Sequence, residues 1–254
     1  MRKTVLRGVV VALAVLLVTA ASALAIRLHA GSLVVSADGG FTPTTLPKHG
    51  YAPIRLHGFG KISTSDGTTP PVLEKVIIWF DKHGRVETRG LPVCTRGKLQ
   101  ATTTKQARKQ CPGAIVGKGV GKAVVLFPEQ GPIAASSPIT IFNGPKKHGN
   151  PTVLAHAYIT VPAPTTYIVQ IEIQKVHDGR YGFKTVGTIP RIAGGYGVPL
   201  YARLTIGRTW KYKGKTLSYA NAGCPDGRLQ AKGQFLFKDG TFLQGTVFKP
   251  CKGR

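Results

Sequence analysis

The sequence predicts an all-β protein: an antiparallel, sandwich-like domain with one short helix and two disulfides, preceded by an N-terminal signal or anchor helix. Three observations carry that expectation. Short alternating apolar and polar runs fill the chain from Gly31 to Lys252. Gly, Pro and Asp-Gly steps punctuate those runs, with 32 glycines and 18 prolines to supply the turns. Four cysteines stand apart from one another, without the paired spacing of a metal site.

Taken in order, the chain opens with Arg2, Lys3 and Arg7 ahead of an apolar run from Gly8 to Ala25 that closes on Ala23-Leu24-Ala25. A basic end, a hydrophobic middle and an A-x-A finish describe a secretory signal peptide. The run falls just short of the ~20 residues of a spanning helix, so an uncleaved anchor is the rival reading. Residues 1–25 are therefore set apart, and 26–254 are expected to form a single β-rich extracytoplasmic domain.

Leu33–Ser36 and Ile54–Ile62 read as the first strands, and Ser65-Asp66-Gly67 with Pro70-Pro71 as an irregular connection. Val76-Ile77-Ile78-Trp79-Phe80 is apolar on both faces, the pattern of a central strand between layers. Asp81-Lys82-His83-Gly84 turns it back toward Arg85–Thr88. Thr102-Thr103-Thr104 can cap a helix over Lys105–Gln110, which Cys111-Pro112-Gly113 ends. Gly117, Gly119 and Gly121 fall on one face of a strand beside Ala123, a bare strip suited to close approach. Asp178-Gly179, Lys213-Gly214 and Asp239-Gly240 each separate two alternating runs and predict hairpins.

Cys94, Cys111, Cys224 and Cys251 all follow the leader, and an even count in an exported chain reads as two disulfides with three possible connectivities. Nearest-neighbour pairing is the simplest of the three. Zinc fits poorly, because no two cysteines share a C-x-x-C step.

The formal charge of +25 falls by only three when Arg2, Lys3 and Arg7 leave with the leader. Such an excess attracts anionic wall polymers, anionic lipid surfaces and extracellular DNA. Positive charge that only keeps the protein soluble is the bland alternative. The cations gather in four places. Lys105, Arg108 and Lys109 share one helical face, and Lys146 and Lys147 form a loop tip. Arg208, Lys211, Lys213 and Lys215 crowd a hairpin containing Trp210 and Tyr212, and Lys249, Lys252 and Arg254 close the chain. Aromatic rings between cations suit stacking and charge attraction to a sugar or a nucleic acid.

Catalytic motifs are missing. No serine sits in G-x-S-x-G, no H-E-x-x-H or H-x-H is present, and neither Gly121-Lys122 nor Gly214-Lys215-Thr216 completes a phosphate loop. No catalytic residue, metal, nucleotide or other cofactor is therefore expected. The residues most open to a polar pocket are His156 with Tyr158 on one strand face, and Gln170, Glu172 and Gln174 on the next. The Gln-Glu-Gln ladder also fits the solvated outer face of a half-buried strand.

The order of segments resembles a group of exported actinobacterial proteins known as hypothetical proteins. The matching stretches are Thr64-Ser65-Asp66-Gly67 with Pro70-Pro71, Arg89-Gly90-Leu91-Pro92-Val93-Cys94, and Cys111 with Ala114-Ile115-Val116-Gly117-Lys118-Gly119. Phe142-Asn143-Gly144, Leu154-Ala155-His156-Ala157-Tyr158, Tyr212-Lys213-Gly214-Lys215, Ser218-Tyr219 and Cys224-Pro225 continue it. The likeness supports the domain and the cysteine framework and implies no activity. The expected function is a non-catalytic binding or structural role at the cell envelope, attracted to anionic polymers. An enzyme or binding module for envelope glycans is the alternative.

Overall fold

The computed structural model describes residues 25–254, so the signal or anchor segment, Ala25 apart, lies outside the described residues. The chain begins with β1 (Ile26–Ala30) and β2 (Leu33–Thr42), then two short strands, β3 (Thr45–Leu46) and β4 (Ala52–Pro53). Next come β5 (Arg55–Thr64), β6 (Leu73–Asp81) and β7 (Gly84–Val86). Helices α1 (Arg96–Leu99) and α2 (Thr104–Gln110) lead through a 3₁₀ turn at Pro112–Ala114 into β8 (Ile115–Val125). Four long strands follow: β9 (Ile133–Lys147), β10 (Asn150–Ile159), β11 (Thr165–Asp178) and β12 (Tyr181–Thr188). After β13 (Gly197–Ile206) come the short strands β14 (Thr209–Tyr212), β15 (Lys215–Ser218) and β16 (Ala220–Ala222). The last hairpin is β17 (Arg228–Phe237) and β18 (Phe242–Pro250), ahead of β19 (Lys252–Gly253).

Twelve strands form one antiparallel sheet in the order β1-β2-β5-β13-β8-β9-β10-β11-β12-β6-β17-β18. The hairpins arise where the turn chemistry put them. Gly179 and Gly240 take positive φ at their turns, and Lys213 and Gly214 both do so between β14 and β15. The sheet's two ends meet. Side chains of Ile26 and Leu28 in β1 lie 2.8 Å from where a Cβ on Gly245 of β18 would stand. Leu33, Val35 and Ile62 near one end share a core with Leu73, Phe235, Phe237 and Leu243 near the other. A second core gathers Val116, Ile141, Val153, Ile173, Leu91 and Tyr219. The glycine strip in β8 faces this second core, and it permits a close neighbour. A Cβ on Gly119 would stand 2.1 Å from the Arg203 carbonyl oxygen and 2.6 Å from Leu204 of β13.

Both disulfides join nearest neighbours, Cys94 to Cys111 and Cys224 to Cys251, and no described cysteine is free. Paired thiols on this scale are consistent with an extracellular location. Among the described residues no helix is long and apolar enough to cross a membrane.

Three expectations need correction. The single helix becomes two. α2 is capped as expected, Thr103 Oγ1 accepting from Gln106 N while Gln106 Oε1 accepts from Thr103 N. The added turn, α1, is held by fully buried Leu99 and by the Cys94–Cys111 staple rather than by propensity. The Val76–Phe80 run lies inside its sheet, between β12 and β17, but the face carrying Ile77 and Trp79 is only half-buried among the described residues rather than sandwiched between layers. Trp79 is instead flanked by paired Lys184 and Lys232, whose ammonium groups lie 4.8 and 4.6 Å from its ring centroid. The Arg85–Thr88 return does not pair with β6. Its strand, β7, pairs with β16 in a separate three-stranded sheet with β4.

Candidate anion-binding groove

The five residues expected to shape a polar pocket share the outer face of β10 and β11. Register pairs Leu154 with Gln170, Thr152 with Glu172, and Tyr158 with Thr166. His156 lies on the same face but is fully buried beneath the segment between α1 and α2. Its Nε2–H donates to the Thr102 carbonyl at 3.1 Å, and the Thr102 hydroxyl stands 3.1 Å away, while Nδ1 has no partner. Glu172 accepts from Asn150 Nδ2 at 2.8 Å with His148 Nδ1 3.9 Å away. The Asn150 bond is the main reason its carboxyl sits below the usual range. Gln174 stands next to Lys184 on β12. The ladder is thus one side of an outer sheet face, and its carboxylate is already bonded.

His156 carries a pH consequence. Burial pushes its pKa below the ordinary 6.5, against the hydrogen bond to Thr102, and Arg108 adds to the lowering. An unfolded chain takes up that proton near pH 6.5, whereas the folded chain refuses it until lower pH. Stability is therefore expected to fall as pH drops below 6.5, by up to about 1.4 kcal/mol per pH unit. Urea midpoints measured from pH 7.5 to 5 should show this slope, and His156→Phe should flatten it. An equal slope in that variant would remove His156 as the source.

The expected basic clusters are dispersed. Lys105, Arg108 and Lys109 are exposed on α2, with Arg108 Nε donating to Thr140 Oγ1 at 2.9 Å. Lys146 and Lys147 are exposed at the tip between β9 and β10, and Lys211, Lys213 and Lys215 along the β14–β15 hairpin. Arg208 Nη1 donates to the Pro112 and Ile115 carbonyls at 3.0 and 2.8 Å, so it ties the hairpin to the start of β8. The hairpin's rings are docked as well. Trp210 Nε1 donates to the Arg89 carbonyl at 2.9 Å, and Tyr212 lies so close to Gly90 that any side chain there would collide with it. Both rings are thus fastened to the Arg89–Gly90 segment, while Tyr212 keeps part of its surface exposed.

A different arrangement emerges on the outer face of β5, β13 and β8. Register places Lys61 opposite Tyr201 and Tyr201 opposite Lys122, one residue from each strand in a single row. The next row on that face aligns Phe59, Arg203 and Val120. A groove of about 700 Å³ opens here, lined by Lys61, Ser63, Thr64, Thr68, Lys122, Tyr201 and Arg203, among others. That volume is within the range of ligand pockets. The Tyr201 ring stacks with Phe59 at 6.4 Å between centroids, and Lys122 Nζ lies 5.9 Å from its centre.

The wall opposite is the 64–70 loop, closed by its own bonds. Thr68 donates to Asp66 Oδ1 through its hydroxyl at 2.6 Å and its backbone N–H at 3.0 Å, and Thr64 Oγ1 donates to the Thr68 carbonyl. These donors lower the Asp66 pKa to about 2, so the loop keeps an ionised carboxylate turned toward Thr68. The lining itself contains no carboxylate and no histidine. A smaller groove of about 370 Å³, lined by Arg55 and Arg208 among others, lies by the hairpin. Among the described residues no three His, Cys, Asp or Glu side chains gather to hold a metal ion.

Sequence reading met Lys122 only in an incomplete phosphate loop and passed over Lys61, Tyr201 and Arg203, because none belongs to a local charge run. Their shared face appears only once the sheet order sets β5, β13 and β8 side by side. Comparison with protein-family models, with curated proteins and with solved structures finds no match, so the functional reading stands on the groove and its charges.

Proposed function

We propose that this is an exported, non-catalytic β protein of the cell envelope that binds anionic polymers on its basic outer surface. The observation that carries the reading is the imbalance between free cations and engaged carboxylates. Among the described residues, the Lys and Arg side chains within 4 Å of a carboxylate are Arg85, Arg89, Arg180 and Lys249. Lys61, Lys122 and Arg203 in the groove, with Lys105, Lys109, Lys146 and Lys147 outside it, stand apart from those pairs. Glu87, Asp81 and Asp226 are all bonded to arginines of the fold. A surface so arranged draws in anions and has little acidic counterweight to shield it.

The groove favours a binding module over a glycan-acting enzyme. Glycoside hydrolysis needs paired carboxylates facing the bond, and the lining residues include none. The sandwich-like layering belongs to this proposal too. Its support is the core that Leu33 and Val35 share with Phe235 and Phe237, which lays one region of the sheet over another.

Retention on immobilised heparin tests the reading. Binding that releases counterions should weaken steeply with salt, the logarithm of affinity falling linearly with the logarithm of salt concentration. Equal retention at low and high salt, or none at low salt, would reject electrostatic binding of polyanions.

A further inference from the structure

We infer that the groove on β5, β13 and β8 is a subsite for a linear glycan bearing a carboxylate on every second sugar. This rests on the anionic-polymer reading and deepens it by naming the ligand and its direction. Lys61, Tyr201 and Lys122 occupy one cross-strand row. Lys61 and Lys122 are two interstrand steps apart, about 10 Å between backbones, the length of a disaccharide. A glycan crossing the strands at right angles therefore meets charge, ring and charge in its own alternating order. Each carboxylate faces an ammonium group, and the uncharged sugar between them lies over Tyr201. An aromatic ring offers the apolar face of a pyranose a flat partner and needs no charge to do so.

The remaining lining residues fit the same ligand. Arg203 lies two residues along β13 from Tyr201 and faces the same way, adding a planar fork suited to a carboxylate. Ser63, Thr64 and Thr68 bring hydroxyl groups to the groove wall, the donors and acceptors that sugar hydroxyls require. Asp66 keeps its ionised carboxylate bonded to Thr68 rather than to any of the three cations.

The face that gathers two lysines around Trp79 differs in just this respect. Around Trp79 two ammonium groups stand within 4.8 Å of the ring centre and one aromatic partner, Tyr181, meets it edge-on at 6.1 Å. There the cations are held against the ring. In the groove the closest ammonium lies at 5.9 Å, near the outer limit of such attraction. A nucleic-acid strand is a poorer match for the groove, since it places a charge at about every 3.4 Å of duplex rise and would overrun the single ring between two lysines.

The test is titration calorimetry with a hyaluronan oligosaccharide, whose carboxylates alternate with neutral sugars. An oligothymidylate of equal charge and a neutral chitin oligosaccharide serve as the comparison probes. Full-length mature protein should bind the hyaluronan probe at least tenfold more tightly than either. Lys61→Ala, Lys122→Ala and Tyr201→Ala should each weaken that binding about tenfold. Tyr201→Phe should keep it, which separates loss of the ring from loss of the fold. Heparin retention by each single variant should persist. Equal affinity for oligothymidylate, or unchanged hyaluronan binding in the lysine variants, would overturn the glycan subsite while leaving polyanion binding intact. Loss of heparin retention in the unmodified protein would instead bring down the broader reading beneath it.

Discussion

Arg180→Ala is expected to lower folding stability by about 3–5 kcal/mol, the cost of stranding a buried charge whose partner is removed. Asp81 at the end of β6 is only 4 % exposed. Arg180 Nε donates to its Oδ2 at 2.6 Å, and the backbone N–H groups of His83 and Gln230 donate to it at 3.0 and 3.2 Å. The same guanidinium grips Asp226, with Nη2 to Oδ1 at 3.0 Å, and reaches the Arg228 carbonyl at 2.7 Å. One side chain thus joins the end of β6, the β11–β12 turn and the start of β17. Asp226 is 42 % exposed, so Asp226→Ala should cost less than about 1 kcal/mol. Arg180→Lys should fall between, since an ammonium cannot present the fork. Urea midpoints for the three variants decide the matter. If Arg180→Ala unfolds within 1 kcal/mol of the parent protein, water reaches Asp81 and the network is not what fastens these turns.

Replacing Cys224 and Cys251 together by serine is expected to cost about 3–4 kcal/mol, from the loop entropy restored to the unfolded chain. The bridge spans 27 residues and encloses the whole β17–β18 hairpin. Cys224 is almost fully buried, in a cluster with Phe41, Leu46, Ile54, Ala220, Ala222 and Leu229. It also anchors the small parallel pairing of β19 with β3. Thermal unfolding measures the total loss, and hydrogen exchange at Leu46 and Lys252 locates it. A loss below 1 kcal/mol would mean that the buried cluster holds this end of the fold without the cross-link. The Cys94–Cys111 bridge closes a shorter span of 17 residues, so its removal should cost slightly less and should act on α1 and α2.

What was legible in the residues was what depends on near neighbours. Asp178-Gly179 and Asp239-Gly240 turned where expected because a reversal of two or three residues needs only its own backbone geometry. The α2 cap was readable for the same reason, as Thr103 and Gln106 bond to each other. Nearest-neighbour cysteine pairing followed as the shortest closure and is what the fold adopts. The central placement of Val76–Phe80 was legible, but not the lysine cover on its outer side, which depends on the neighbours β12 and β17. Trp210 looked like a free ring because its acceptor, the Arg89 carbonyl, lies 121 residues away in the chain. The groove was hidden most deeply. Its row of Lys61, Tyr201 and Lys122 comes from three strands that no turn connects, and only the sheet order brings them together.

That order ends with β1 and β18 at opposite margins of the sheet, and those margins lie against each other through Ile26, Leu28 and Gly245. An open margin is where a second chain can graft itself on, strand by strand, toward an insoluble fibre. Here each margin lies against the other, so neither is left fully open to a second copy, and the net positive charge adds repulsion between copies. Concentrating such molecules should therefore yield a clear solution rather than a precipitate, which light scattering checks.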